Sequence, residues 1–107
     1  MKEFQNITLA DAKLQLDEGS LAVADIRDPQ NFAKSHLKGA INLNNDNIGE
    51  FIQENTGKPV LVVCYHGVSS QKAAQYMLEQ GIGEAYSLTG GMAAWLEAYP
   101  NDHLESA

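Results

Sequence analysis

Val60-Leu-Val-Val-Cys64 is an unbroken apolar run, rich in β-branched residues, set between Pro59 and a glycine-containing loop. A strand with no polar alternation has no face to give to water. It must be covered on both sides, which is the position of an inner strand in a parallel sheet with helices above and below. The flanking sequence supplies those helices. Ser70 to Gln80 has Ala73, Ala74, Met77 and Leu78 on one face and Gly81 as its stop. Thr8-Leu-Ala-Asp11 reads as a capping box with Asp in place of Glu, opening a helix to about Glu18 that ends at Gly19.

Elsewhere the same alternation recurs. Leu21 to Ile26 is a short strand, and Arg27-Asp28-Pro29 turns into a short helix carrying Phe32, with Pro29 at its first position. Ala40-Ile-Asn-Leu43 is a strand introduced by Lys38-Gly39. Asp46 is expected to cap a helix bearing Ile48, Phe51 and Ile52 that ends near Gly57-Lys58-Pro59. Ala85 to Leu88 is a strand, and Gly90-Gly91 leads into a helix with Trp95 and Leu96. The expected fold is α/β: a central, mostly parallel sheet with helices on both faces. Residues 1–107 suit a single domain, with residues 101–107 a loosely ordered tail lacking periodicity.

Cys64 is the sole cysteine, so no internal disulfide forms. A cysteine closing an apolar strand commonly serves as a small buried hydrophobe. The residues after it argue for more. Tyr65-His-Gly-Val-Ser69 is a tight loop feeding a helix start, an order that gathers backbone N–H groups around one point and aims a helix dipole at it. Both effects favour an anion, so Cys64 is expected to be a readily ionised nucleophile. In a parallel sheet, Arg27-Asp28 follows one strand end and Cys64 closes another, so both lie on the rim where ligands bind.

Charge and composition remove several classes. Fourteen acidic against seven basic residues give a net charge of −7, and Arg27 is the sole arginine. No basic stripe exists for a nucleic acid. No segment has the length and apolarity to span a bilayer, the N-terminus has no apolar signal-like core, and a lone free cysteine suits a reducing cytoplasm. Cys64 with His36, His66 and His103 has no paired-ligand spacing, and neither metal nor cofactor is expected.

Four segments together resemble the rhodanese domain. They are Asp25-Ile-Arg27-Asp28, Ser35-His-Leu-Lys-Gly39-Ala-Ile-Asn-Leu43, Cys64-Tyr-His-Gly-Val-Ser69 and Leu88-Thr-Gly-Gly91-Met-Ala-Ala-Trp95. The short length and the Cys-Tyr-His-Gly loop are most similar to the small, single-domain bacterial thiosulfate sulfurtransferases. The resemblance implies a six-residue loop, Cys64 to Ser69, whose cysteine carries sulfur as a persulfide. A related branch, phosphatases and arsenate reductases, needs Cys-x5-Arg, and Ser70 stands where that arginine belongs.

The expected activity is thiosulfate sulfurtransfer: sulfane sulfur passes from thiosulfate to Cys64 and then to cyanide, a small dithiol or a thioredoxin-like protein. The alternative is a persulfide carrier or regulatory module without significant thiosulfate turnover. Cys64 is the catalytic residue. Tyr65, His66, Gly67, Val68, Ser69 and Ser70 are the substrate-binding loop, through amides and side chains. Gly67 has two roles open to it, a simple turn or a backbone approach closed to other residues. Ser69 and Ser70 fit as helix caps and also as hydroxyls facing sulfur. Tyr65 is read as a lip of the pocket or as packing. Many members carry Arg or Lys directly after the cysteine, and here Tyr65 and His66 replace them. Positive charge must then come from amides, Lys72, Arg27 or protonated His66, and weak thiosulfate binding is expected. Arg27 is read foremost as a partner for Asp28 or another carboxylate, Lys72 as a solvated helix residue, and His36 as a structural link between rim loops.

Overall fold

The computed structural model describes residues 3–106. Its elements in chain order are β1 (Gln5–Ile7), α1 (Leu9–Glu18), β2 (Ala22–Asp25), α2 (Pro29–Lys34), β3 (His36–Leu37), β4 (Ile41–Asn42), α3 (Ile48–Glu54), β5 (Pro59–Val63), α4 (Ser69–Glu79), β6 (Glu84–Leu88), α5 (Gly91–Ala98) and β7 (Leu104–Glu105). Five strands form one sheet in the order β1-β6-β5-β2-β4, with every pair parallel. β5 is the middle strand, and Val60, Leu61, Val62 and Val63 are fully buried.

Period-two alternation along β5 divides the core into two layers. Val60 and Val62 pack with Phe51, Ile52, Ala74, Met77 and Leu78 from α3 and α4. Leu61 and Val63 pack with Ala12, Met92 and Trp95 from α1 and α5. The local signals do what their chemistry dictates. Thr8 accepts from the Asp11 N–H at 3.1 Å, and Gly19 ends α1 in the left-handed conformation. Asp28 caps α2, with Pro29 in its first turn.

Three expectations need correction. The N-terminus contributes β1, an edge strand missed because Gln5 and Asn6 are exposed and only Ile7 is buried, leaving no apolar pattern to read. Asp46 does not cap α3. Asn44 Oδ1 accepts from the N–H groups of Asp46 and Asn47 at 2.8 and 2.9 Å, and the helix starts at Ile48 behind Asn47.

The third correction is the tail, which does not fray over its described residues. Leu104–Glu105 pairs antiparallel with His36–Leu37, the Trp95 indole N–H donates to the Asp102 carbonyl at 3.1 Å, and His103 meets Asp17 at 2.6 Å. Its anchors are polar and scattered, so no periodicity announces them. His36 sits in this seam, stacked on Phe32 with ring centroids 3.8 Å apart; its Nδ1 lies 2.6 Å from the Phe32 carbonyl and its Nε2 3.3 Å from Glu105.

Candidate active site

Parallel β2 and β5 end side by side, with Asp25 opposite Val63. Cys64 leaves β5 at this rim and is 6% exposed. The loop after it folds back over the thiol. The Gly67 N–H donates to Cys64 Sγ at 3.2 Å, the Ser70 N–H at 3.4 Å, and the Ser70 hydroxyl lies 3.2 Å from the sulfur. Burial alone would raise the thiol pKa. The Ser70 hydroxyl and the amides of Ser70, Gly67 and His66 outweigh it, and the net displacement is downward. The thiolate is therefore favoured over that of an ordinary cysteine.

α5 holds this loop in place. The N–H groups of Met92 and Ala93 donate to the carbonyls of Cys64 and Tyr65 at 2.8 and 2.9 Å. Gly90-Gly91 makes that approach possible, since a Cβ on Gly91 would sit 2.4 Å from the Tyr65 carbonyl oxygen. Gly67 meets the same corner. Its φ is 83°, and a Cβ there would lie 2.8 Å from Gly90 N and from Leu88 O. Both roles left open for Gly67 apply: a left-handed turn and a close backbone approach.

Ser70 belongs to the first turn of α4 and points inward, fully buried. Neither Ser69 nor Ser70 caps the helix; Val68 occupies that position without a side-chain bond. Behind Ser70 stands Ser87 of β6, also fully buried, with the two hydroxyl oxygens 2.7 Å apart. Sequence reading missed Ser87. A serine among apolar strand residues was the one available signal.

A cavity of about 460 Å³ opens above the sulfur, lined by Ile26, Arg27, Asp28, Cys64, Tyr65, His66, Val68 and Ser69. Its lip is apolar: Val68 is 71% and Tyr65 38% exposed. Arg27 is committed elsewhere. Its guanidinium forks onto Asp25, with Nη2 to Oδ2 at 2.8 Å, and donates to the Ser35 carbonyl at 2.7 Å. The carboxylate partner is thus Asp25 rather than Asp28. Asp28 instead accepts from the Tyr65 hydroxyl, which bridges the two rim loops. That bond, followed by those from Asn31, holds the Asp28 carboxyl far below the usual range and raises the Tyr65 phenol. Lys72 is exposed on α4 and forms no part of the cavity wall. His66 is exposed beside Tyr65, with ring centroids 6.3 Å apart. No cluster of His, Cys, Asp and Glu among the described residues could hold a metal ion, and no helix among them is long and apolar enough to cross a membrane.

Residues 8–98 match the family described as Rhodanese-like domain. Solved structures share the fold. A rhodanese-related protein from Thermoplasma volcanium superposes with a TM-score of 0.73 at 24% identity, covering 90% of this chain and 94% of its own. A rhodanese-like domain protein from Staphylococcus aureus gives 0.76 at 24% identity, covering 97% and 99%. A Rhodopseudomonas palustris protein of unknown function, described as a possible tyrosine phosphatase, gives 0.77 at 22% identity, covering 89% and 81%.

Proposed function

The chain belongs to the rhodanese-like domain family, and from that premise we propose that it is a thiosulfate sulfurtransferase working through a Cys64 persulfide. The observation that carries the reading is the ring of neutral groups on Cys64 Sγ: two amides that donate to it and the Ser70 hydroxyl, all within 3.4 Å. They favour a thiolate nucleophile without a general base.

In the first step the thiolate attacks the outer sulfur of thiosulfate. The new Sγ–S bond forms as the old S–S bond breaks, and its electron pair leaves with sulfite. In the second, a nucleophile takes the outer sulfur and the Sγ–S electron pair returns to Cys64. With cyanide the product is thiocyanate. In a reducing cytoplasm, small dithiols or a thioredoxin-like protein are the proposed acceptors. Two displacements through one covalent intermediate give ping-pong kinetics.

The phosphatase described for one structural relative does not transfer. Ser70 occupies the position where a Cys-x5-Arg loop places arginine, and Arg27, the sole arginine, is bound to Asp25. No group remains to grip a phosphoryl dianion bidentately.

Mixing the reduced protein with thiosulfate and cyanide and following thiocyanate tests the proposal, with Cys64→Ser alongside. Multiple turnovers that vanish in the variant are expected. Absence of turnover in the intact protein would overturn the thiosulfate reading in favour of a persulfide carrier or regulatory module.

A further inference from the structure

We propose that Ser87 is a positioning residue for the sulfur chemistry: through Ser70 it completes a buried hydroxyl chain whose two links are filled, with no hydrogen left over, when Cys64 is a thiolate. The chain is linear, Ser87 Oγ to Ser70 Oγ at 2.7 Å and Ser70 Oγ to Cys64 Sγ at 3.2 Å. Both serines are fully buried and Cys64 is 6% exposed.

Three heavy atoms in a row make two links. With a neutral thiol the row holds three hydrogens, and one of them has no place between its members. With a thiolate it holds two, and each fills a link: Ser87 donates to Ser70, and Ser70 donates to sulfur. A hydrogen left over must turn out of the row, the thiol's toward the cavity or a serine's to another acceptor, so the self-contained arrangement is the one with the anion. The amides of Gly67 and Ser70 also point at the sulfur and press in the same direction. Ser87 never touches Cys64; it fixes which way the Ser70 hydroxyl donates.

The charged or titratable side chains around the sulfur lie on the cavity wall: Arg27 and Asp28 from the β2–α2 loop, Tyr65 and His66 from its own loop. Arg27 is held by Asp25, and Asp28 by Tyr65. β6 supplies Ser87 to the chain and α4 supplies Ser70.

The inference deepens the proposed sulfur transfer and rests on that reading for its kinetic consequence. In the persulfide, Sγ is a neutral bridging atom and the negative charge lies on the outer sulfur. When an acceptor takes that sulfur, the electron pair of the Sγ–S bond returns to Sγ. The hydroxyl chain then receives the anion it is counted for, so Ser87 assists discharge of the persulfide rather than its loading.

The test is a cycle of Ser87→Ala, Ser70→Ala and the double variant. Thiol ionisation is read from absorbance near 240 nm and from iodoacetamide alkylation across pH. Neither measurement needs a sulfur substrate, so failure of the sulfurtransferase reading leaves this test intact. Ser87→Ala removes one heavy atom from a strand interior and adds none, so melting is followed alongside. The ionisation midpoint of Ser87→Ala is expected to rise by about half to one pH unit, the net worth of one neutral hydrogen bond. The Ser70→Ala rise is at least as large, and the double variant matches Ser70→Ala alone, because Ser87 acts through Ser70. Well above the midpoint, Ser87→Ala slows discharge to cyanide while loading by thiosulfate is not slowed, because a more basic thiolate is the better nucleophile and the poorer leaving group. An unmoved midpoint with a lowered melting temperature would make Ser87 a packing residue only. A Ser87→Ala shift that persists in full on top of Ser70→Ala would overturn the relay.

Discussion

Gly67 and Gly19 share a left-handed backbone, with φ of 83° and 77°, and differ in what surrounds them. Alanine at each therefore separates conformational strain from packing. At Gly19 a Cβ meets nothing within 4 Å, so the substitution costs only the left-handed conformation, roughly 1–2 kcal/mol. At Gly67 the Cβ would lie 2.8 Å from Gly90 N and Leu88 O, backbone atoms that cannot rotate aside. Overpacking of that kind adds about 1–3 kcal/mol, for a sum of about 2–5 kcal/mol. In a domain of this size each 1 kcal/mol moves Tm by about 4–8 °C. Gly67→Ala should thus melt at least about 8 °C below the parent, and further below it than Gly19→Ala.

The second consequence is chemical. The loop can relieve the clash only by moving, which carries the Gly67 N–H away from Cys64 Sγ, now 3.2 Å distant. A hydrogen bond to a charged group is worth about 1.5–3 kcal/mol, or about 1–2 units of thiol pKa. Alkylation by iodoacetamide across pH, with melting followed by circular dichroism, reads both effects. Equal melting losses in the two variants, or a Gly67→Ala protein with an unmoved alkylation profile, would refute the reasoning.

Two further predictions concern the rim and the tail. Arg27→Ala strands the fully buried Asp25 carboxylate and should cost about 3–5 kcal/mol in urea denaturation, whereas a loss below about 1 kcal/mol would show that Asp25 finds another partner. Glu105 is held below its ordinary value of 4.5, first by the Gly39 N–H and then by His36, so its carboxylate contributes stability above that pH and loses it as pH falls through the depressed folded value. The Tm gap between the parent and Glu105→Gln should therefore be full near neutrality and shrink in acid below about pH 4; a gap that widens there would contradict the assignment.

What sequence made legible here was whatever local chemistry encodes. The β5 run, the Thr8 cap, the Gly19 stop and Pro29 at the start of α2 each act within a few residues, and each lies where its pattern places it. The parts that escaped depend on contacts across long stretches of chain. Leu104–Glu105 pairs with residues nearly seventy positions earlier, through bonds that leave no apolar period. Ser87 and Ser70 meet because parallel β6 lies beside β5 and under α4, and neither serine is distinctive in its own segment. Arg27 had a carboxylate on either side, and the fork to Asp25 comes from side-chain direction, which spacing alone does not give.

The position six residues after the nucleophile decides what such a loop can hold. Arginine there would set a fixed positive charge and two parallel donors against a phosphoryl group. Ser70 offers an amide and a hydroxyl aimed at Sγ itself, 3.4 and 3.2 Å away. Those neutral donors suit a single charge on one large, polarisable atom. A dianion asks for more: the one arginine on the wall, Arg27, is already held by Asp25, and the Asp28 carboxylate adds a like charge. For the sulfur transfer we propose, weak affinity for thiosulfate and competence for the transfer are then expected together from one arrangement. In that proposal the cradle serves the thiolate that attacks and later leaves, and the donor anion meets at the cavity mouth an apolar lip of Tyr65 and Val68 that offers it little.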